Sequence, residues 1–571
     1  MTLAQDLELE KATPEEEYQS MLRSLRRRKG FGLVFVRCTP VGGWELIEKV
    51  RDDIPQKLVG ILELKEPISN LIDLVETFPN VENLKILFIV GLEKSLVEYI
   101  RPGYGGEGDY YNLDTVPPIL SHLNWQRENY RDRFRHLCFI FLLPQFAIKY
   151  MIRRAPDFFD WGTGVVEFPT DSKLIEQESI RLIGESYEEY LKWEPHQRLN
   201  KIAEIQSYLD ANPFSAKRAS LLAEKGNIFI ANQQYEEAID SYDRAVQIKP
   251  DYHKAWNNRG LALGNLGRYE ESIDSYDKAL QIKPDYHDAW SNRGIALGNL
   301  GRYEQEIDSY DNALQIKPDL HQAWYNRGFV LVNLGKYEEA INSYGKALQI
   351  KPDYHQAWSS RGIALWNLGR YEEAIISLFQ SLRIKPDEEL IWDATEKLLL
   401  FFRELSKSSE KVESIKFVIQ TYKDSIEILE QIGDRQRLLK FHYQLGKVFF
   451  ELGNYTEAIE NLQVSEQISQ TLNDIPNLAL SLFDLARLYH LTGKLEEARL
   501  YFKDSLRLFR RLQDPEKSAV ATLALGNLEM QIGKIPQALI HLREAENYYQ
   551  TQDNSERLAE INYLLQILQV A

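Results

Sequence analysis

Trp256, Trp290, Trp324 and Trp358 stand 34 residues apart, and the stretch AWNNRGLALGNLGRYEESIDSYDKALQIKPDYH recurs around them with few changes. A unit this short cannot enclose its own core, so it has to stack on copies of itself. Within each unit the apolar positions follow helical spacing, broken once by glycine (Gly267, Gly301, Gly335, Gly369) and once by proline (Pro250, Pro284, Pro318, Pro352, Pro386). Each unit therefore reads as a helical hairpin. Gly226, Gly260, Gly294, Gly328 and Gly362 let a second helix come close to the first; Ala238, Ala340 and Ala374 answer from the second helix, and Tyr235, Tyr269, Tyr303, Tyr337 and Tyr371 fill the remaining space.

With its W-x2-L-G-x2-Y, A-x3-F and closing proline pattern, the stretch 219–390 resembles the tetratricopeptide repeat family. It departs from the pattern at Arg259, Arg293, Arg327 and Arg361, where leucine is usual, and at Glu306, where a small residue is usual and a looser third hairpin is expected. A second set has period 40, marked by Gly446, Ala486 and Gly526, by Gly453, Gly493 and Gly533, and by Ala458, Ala498 and Ala538. The organisation expected is a leader helix (1–30), an α/β domain (31–170), a helical linker (171–218), five 34-residue hairpins (219–390), an atypical helical adaptor and candidate hinge (391–434), and longer hairpins with a capping helix (435–571). Six added residues correspond to roughly 9 Å of helix, so the stack is expected to change curvature near the adaptor.

The resemblance implies an all-α superhelical solenoid whose concave groove binds an extended segment of a partner. In the family's layout Asn258, Asn292 and Asn326 face that groove, with Ser360 in the fourth place. The same positions carry an asparagine ladder in the repeats of O-linked N-acetylglucosamine transferase, which this array resembles in repeat length. An Asn amide offers one acceptor and two donors, so a ladder can read peptide backbone whatever its side chains. A second row, Asn265, Asn299, Asn333 and Asn367, lies seven residues on and reads either as groove lining or as polar helix ends. Tyr325, Phe329 and Trp366 are candidate side-chain pockets, Trp366 alternatively packing on the next hairpin. The two-carboxylate clamp for chaperone tails is not expected, because its basic places hold Ala223, Asp288 and Asn292, and only Asn227 and Asn258 fit. His253, His287, His321 and His355 recur one per repeat, too far apart for one metal ion.

Between residues 31 and 170 the runs GLVFV, LVGILEL, NLKILFIVGLE, HLCFIFLLP and GVVEF alternate with amphipathic segments, the pattern of a mainly parallel sheet flanked by helices. LKILFIVGLEKSL, LNWQRENYRDRF and LPQFAIKYMIRRAPDFFDW resemble segments of P-loop ATPases of the AAA and signal-transduction type, as found ahead of bacterial tetratricopeptide arrays. VRCTPVGGWE stands where the phosphate loop belongs, yet it lacks the lysine and the hydroxyl of G-x-x-x-x-G-K-[ST]. Hydrolysis would lose its charge neutralisation and metal anchor. The domain reads as a P-loop NTPase-like fold without the P-loop, a pseudo-ATPase, with Glu93 a motif remnant or strand-end cap.

The remaining sequence narrows the class. Net charge is −17, which argues against generic phosphate-backbone binding. Cys38 and Cys138 sit in apolar runs as two buried thiols in a reducing compartment. The acidic start is no secretory signal, and the apolar run 137–152 is too short and too polar to span a membrane, so a cytoplasmic protein is expected. No G-x-S-x-G or H-E-x-x-H motif occurs. No cofactor, metal or catalytic residue is assigned. The basic cluster RSLRRRKG reads as a solvated helix end or a phosphate or acidic-partner site, and the loop Arg101–Pro118 as a partner surface or lid. The function expected is a protein–protein interaction scaffold or adaptor in bacterial signalling. The alternative is a regulatory NTPase-like switch that binds nucleotide weakly in residues 31–170.

Overall fold

The computed structural model describes residues 13–99, 116–184, 187–211, 216–408 and 412–570. Residues 101–115 of the long loop lie outside them. The chain forms two compact units, Met1–Pro318 and Asp319–Ala571.

In the first unit five apolar runs form strands β1 (Gly32–Arg37), β2 (Val59–Glu63), β3 (Ile86–Val90), β4 (Cys138–Leu143) and β5 (Gly162–Glu167), in the order β2-β3-β4-β1-β5. Every neighbouring pair is parallel, with Val34 and Phe88 both opposite Ile140. Strand side chains alternate between two cores, as the pleat dictates. Val34, Val36, Ile86, Phe88, Ile140 and Leu142 pack under α1 (Pro14–Arg27) and α2 (Pro40–Asp53). Leu33, Phe35, Leu87, Ile89, Phe139 and Phe141 pack against α3 (Ile72–Glu76), α4 (Pro118–Trp125), α5 (Arg127–Arg133), α6 (Gln145–Arg154) and α7 (Pro156–Phe159). The leader helix α1 is thus part of this domain. Thr13 and Glu16 cap its start reciprocally, and Tyr18 donates to Asp53 at 2.6 Å.

Three helices follow, α8 (Ser172–Leu182), α9 (Tyr187–Leu191) and α10 (Pro195–Ala211), and then three hairpins. These are α11 (Arg218–Ala231) with α12 (Tyr235–Ile248), α13 (His253–Asn265) with α14 (Tyr269–Ile282), and α15 (His287–Asn299) with α16 (Tyr303–Ile316). The linker helices cover the first hairpin: the Tyr190 hydroxyl donates to buried Glu224 at 2.6 Å, and buried Lys225 donates to Gln206 at 2.7 Å. Burial lowers the Lys225 pKa to about 8.

The second unit is wholly helical. It pairs α17 (His321–Asn333) with α18 (Tyr337–Ile350), α19 (His355–Asn367) with α20 (Tyr371–Ile384), and α21 (Glu389–Ser408) with α22 (Val412–Ile432). Next come α23 (Arg435–Glu451) with α24 (Tyr455–Leu472), α25 (Ile475–Leu491) with α26 (Leu495–Arg511), α27 (Pro515–Gln531) with α28 (Ile535–Thr551), and a final α29 (Ser555–Val570). One apolar core runs from Leu365 through Trp392 and Tyr422 to Leu528. The adaptor is therefore packed into this core as a lengthened hairpin. Trp392 repeats a bond made by Trp358: its indole N–H donates to Pro386 at 2.7 Å, as Trp358 does to Pro352 at 2.9 Å.

The glycines of the first helices meet aromatic rings directly. A Cβ on Gly226, Gly260, Gly294 or Gly328 would lie 2.7 Å from the ring of Tyr242, Tyr276, Tyr310 or Tyr344. In later hairpins leucine takes that place, Leu378 against Gly362 and Leu462 against Gly446. The residues that fill the gap are thus eighth in the second helix, and not Tyr235 and its equivalents at the helix start.

The arginines at the leucine position act as pins. Arg259 donates to Asp243 at 2.6 Å in the preceding hairpin and to Ser275 at 2.7 Å in its own. Arg293 does the same to Asp277 and Ser309, at 2.7 and 2.8 Å. Arg361 keeps only the bond within its hairpin, to Ser377 at 2.8 Å, because Gly345 replaces the aspartate.

Glu306 is the exception to the pattern of small residues. It is only 7% exposed, receives the Tyr310 hydroxyl at 3.2 Å, and lies 2.6 Å from where a Cβ on Gly298 would be. In the corresponding places Gly264 meets Ser272, while Val332 and Trp366 stand with Ala340 and Ala374, so bulk is traded across the hairpin. Burial raises the Glu306 pKa to about 7. Its folded value thus lies above the unfolded one; the cost of burying the charge is absent below the unfolded value, grows between the two values, and levels off above the folded one at about 1–3 kcal/mol. The double variant Gly298→Val/Glu306→Ala should gain melting temperature over the native chain, and the gain should be larger at pH 8 than at pH 5. Equal gains at both pH values would rule out a buried, titrating carboxylate.

Candidate functional site

The first helices α15, α17 and α19 present the same outward stripe at i, i+4, i+7 and i+11. On α15 it is Asp288, Asn292, Ile295 and Asn299, and on α17 Gln322, Asn326, Phe329 and Asn333. The apolar member is exposed in successive repeats: Ile295 to 47%, Phe329 to 53% and Ile363 to 47%. Sequence reasoning named only Phe329. The signal for Ile295 and Ile363 was their equivalent place in the 34-residue period.

The ladder asparagines are bonded to neighbouring side-chain amides. Asn258 donates to Asn227 at 2.9 Å, which also receives the Tyr242 hydroxyl at 2.7 Å. Asn257, buried and unforeseen, donates to Asn258 at 2.9 Å and accepts from Asn292 at 3.2 Å. These bonds join α11 to α13 and α13 to α15. Asn326 accepts from Gln322 at 2.9 Å. In the second row Asn265, Asn299 and Asn367 each donate at 2.9 Å to the carbonyl four residues earlier, finishing the last turn of their own helix; Asn333 ends α17 at the same place. Trp366 packs on Tyr371 and Phe401 at 5.5 and 5.2 Å between ring centres, and Tyr325 on Tyr354 at 5.1 Å. His253, His287, His321 and His355 open their helices, and among the described residues no group of three or more His, Cys, Asp or Glu could hold a metal ion.

In open parallel sheets ligands bind beyond the carboxyl ends of the strands. Here that edge holds a cavity of about 160 Å³ lined by Arg37, Cys38, Thr39, Gln145, Thr170 and Asp210, among others. A phosphate loop needs several residues between strand and helix, but only Cys38 and Thr39 separate β1 from α2. Pro40 opens the helix without an N–H, and the Gly42 and Gly43 amides are taken by Thr39 at 3.1 and 2.9 Å. Thr170 closes the remaining space, with its hydroxyl 2.6 Å from that of Thr39 and 2.2 Å from where a Gly42 Cβ would lie. Cys38 is buried and its thiol pushed up to about 12, chiefly by desolvation. Glu93 follows β3; burial raises its carboxyl to about 7, and its Oε2 has no hydrogen-bond partner.

The tetratricopeptide repeat family matches residues 253–286, 275–308, 355–388, 436–511 and 478–551, and TPR repeat descriptions match 226–267, 299–335 and 330–369. The chain carries tetratricopeptide repeats. No curated protein matches it. Among solved structures, that of MamA is similar at 22% identity over 28% of this chain and 95% of that one, with a TM-score of 0.28. YrrB, described as a TPR protein with an unusual peptide-binding site, is similar at 20% identity over 34% and 99%, with a TM-score of 0.31. A tetratricopeptide repeat protein from Parabacteroides merdae is similar at 17% identity over 47% and 99%, with a TM-score of 0.30.

In the tetratricopeptide hairpins of the first unit, then, part of the asparagine ladder's capacity is spent on holding first helices together. Asn258→Ala/Asn292→Ala should lower the melting temperature of the free protein, at about 1 kcal/mol per lost bond. An unchanged melting curve would mean that these bonds carry no weight and that both amides are free for a ligand.

Proposed function

We propose that the tetratricopeptide repeats form a protein-interaction scaffold and that, within the second unit, the outward stripe of first helices α17 and α19 takes an extended segment of a partner. The observation that carries this reading is the exposed Phe329 and Ile363 at one repeat position of the second unit; Ile295 is exposed at the same position in the first. The hairpin cores are complete without them, and leaving about half of a large apolar side chain in water forgoes burial worth on the order of 1 kcal/mol each. Asn326 flanks this row in the second unit, as Asn258 and Asn292 flank Leu261 and Ile295 in the first, and these amides retain hydrogen-bonding capacity beyond their internal bonds, so backbone pairing and side-chain pockets coexist on the stripe of a single unit. Tyr325 belongs to this surface; Trp366 and the Asn265 row contribute to the helix ends.

The amino-terminal domain enters the proposal as a pseudo-ATPase that carries no nucleotide. The two-residue link before α2 and the closure by Thr170 support this over a nucleotide-driven switch. With no cofactor in the reading, the protein works by binding alone.

Peptides selected from a random library against the intact chain provide the test, read as dissociation constants by fluorescence anisotropy. Phe329→Glu and Ile363→Glu should each weaken such peptides at least tenfold, Asp274→Ala on the second helix α14 should leave them within twofold, and Mg-ATP should not move the curve. Peptides indifferent to both glutamates would remove the stripe from the reading; a shift with Mg-ATP would restore the switch.

A further inference from the structure

Because the five strands are parallel, the residues that lead into them share one edge. In sheet order these are Lys57 and Leu58 before β2, Lys85 before β3, Arg135 before β4, Lys29 before β1 and Trp161 before β5. Four neighbouring strands thus each bring in a cation, at steps of roughly 4.8 Å. At the fifth strand the Arg131 guanidinium lies 5.3 Å from the Trp161 ring centre but is paired with Asp132 at 3.2 Å, so the row of available cations ends at Lys29. Local bonds confirm the juxtaposition. Lys57 donates to the Arg28 carbonyl at 2.7 Å, Lys85 donates its backbone N–H to Leu58 at 3.0 Å, and a Cβ on Gly30 would lie 3.3 Å from the Arg135 carbonyl.

Helix ends explain part of this charge. Arg26 and Lys57 sit at the carboxyl end of α1, and Arg133 pairs with Glu76. They leave Lys29, Lys85 and Arg135 exposed, with Arg135 no closer than 3.8 Å to Asp132 and, among the described residues, no ion pair on Lys29, Lys57 or Lys85. Burial chiefly lowers the Lys57 pKa, and the Lys85 and Arg28 charges act in the same direction. Within this unit the repeats attach through α10 at the other edge, where Ser207 and Asp210 line the carboxyl-side cavity.

We propose that this amino-side edge is a second docking surface, separate from the repeats, for an acidic peptide segment of a partner protein. The row is about 15 Å long, the reach of five extended residues, and charge complementarity supplies the attraction. Leu58, 52% exposed within the row, adds a contact that suits a peptide with an apolar side chain among its carboxylates and gives nothing to a phosphate chain. The chain's net charge of −17 also opposes long polyanions that would run beyond the row.

The test uses the intact protein and a fluorescein-labelled decapeptide of glutamates and aspartates around a central leucine, with oligo(dT) and inorganic polyphosphate as rival probes. Saturable binding of the peptide that falls as salt rises, and that weakens at least tenfold in Lys85→Glu/Arg135→Glu but less than twofold in the repeat-surface control Arg507→Glu/Arg511→Glu, is the expected result. Should the first variant melt early, the neutral pair Lys29→Gln/Lys85→Gln is read instead, with at least a threefold loss expected. No saturable peptide binding, or equal losses in variant and control, would overturn the proposal. Tighter binding of oligo(dT) or polyphosphate through the same residues would overturn it as well and give the edge to phosphate chains.

Discussion

A tyrosine ring lying on a glycine backbone is the contact on which the hairpins of the first unit depend. With no Cβ at Gly226, Gly260 or Gly294, the second helix can bring Tyr242, Tyr276 or Tyr310 flat against the first, burying a large side chain in a space that alanine would already crowd. That close approach fixes which side of the first helix is covered. The opposite side is left to form the outward stripe, and its repetition every 34 residues follows from the repetition of the glycine. The same logic holds in the second unit, with Tyr344 on Gly328 and then leucine in place of the ring.

Between hairpins the forces are more polar than the family's leucine position would give. Arg259 and Arg293 reach an aspartate behind and a serine beside them while lying over Trp256 and Trp290 at 5.8 Å from the ring centres. A charged hydrogen bond pays only if its geometry is held, and the tryptophan anchored by its own proline carbonyl holds it. The asparagine bonds between first helices work alongside, so the proposed partner surface is built from groups that also set the spacing of the repeats.

Periodic features of this kind were legible in the sequence because period is what a stack of identical units imposes. The five strands were legible too, since an apolar run bounded by polar helices has few other places to go. Other features depended on which neighbour a side chain meets. Asn258 and Asn292 read as free ladder residues until Asn227 and Asn257 are brought beside them by packing. Tyr276 and Tyr269 are both tyrosines of the second helix, and only the crossing of the two helices shows which one lies on the glycine. Trp392 was legible and overlooked: it follows Trp358 by 34 residues and Pro386 by six, but the lengthened helices after it obscure the period. The missing phosphate loop was plain from the absent lysine, whereas the role of Thr170 in filling the space depends on a contact across 131 residues.

The central claim is that partners are held on the outward stripe of the first helices, and site-specific photo-crosslinking tests it most directly. A benzophenone amino acid placed at Phe329 or Ile363 in the intact chain, in living cells, is compared with one at Asp274 on the second helix of a hairpin. The account predicts crosslinks from 329 and 363 to a short common segment of one or a few partner proteins, and none of these from 274. Crosslinks to the same partners from 274 alone, or equally from all three positions, would contradict it.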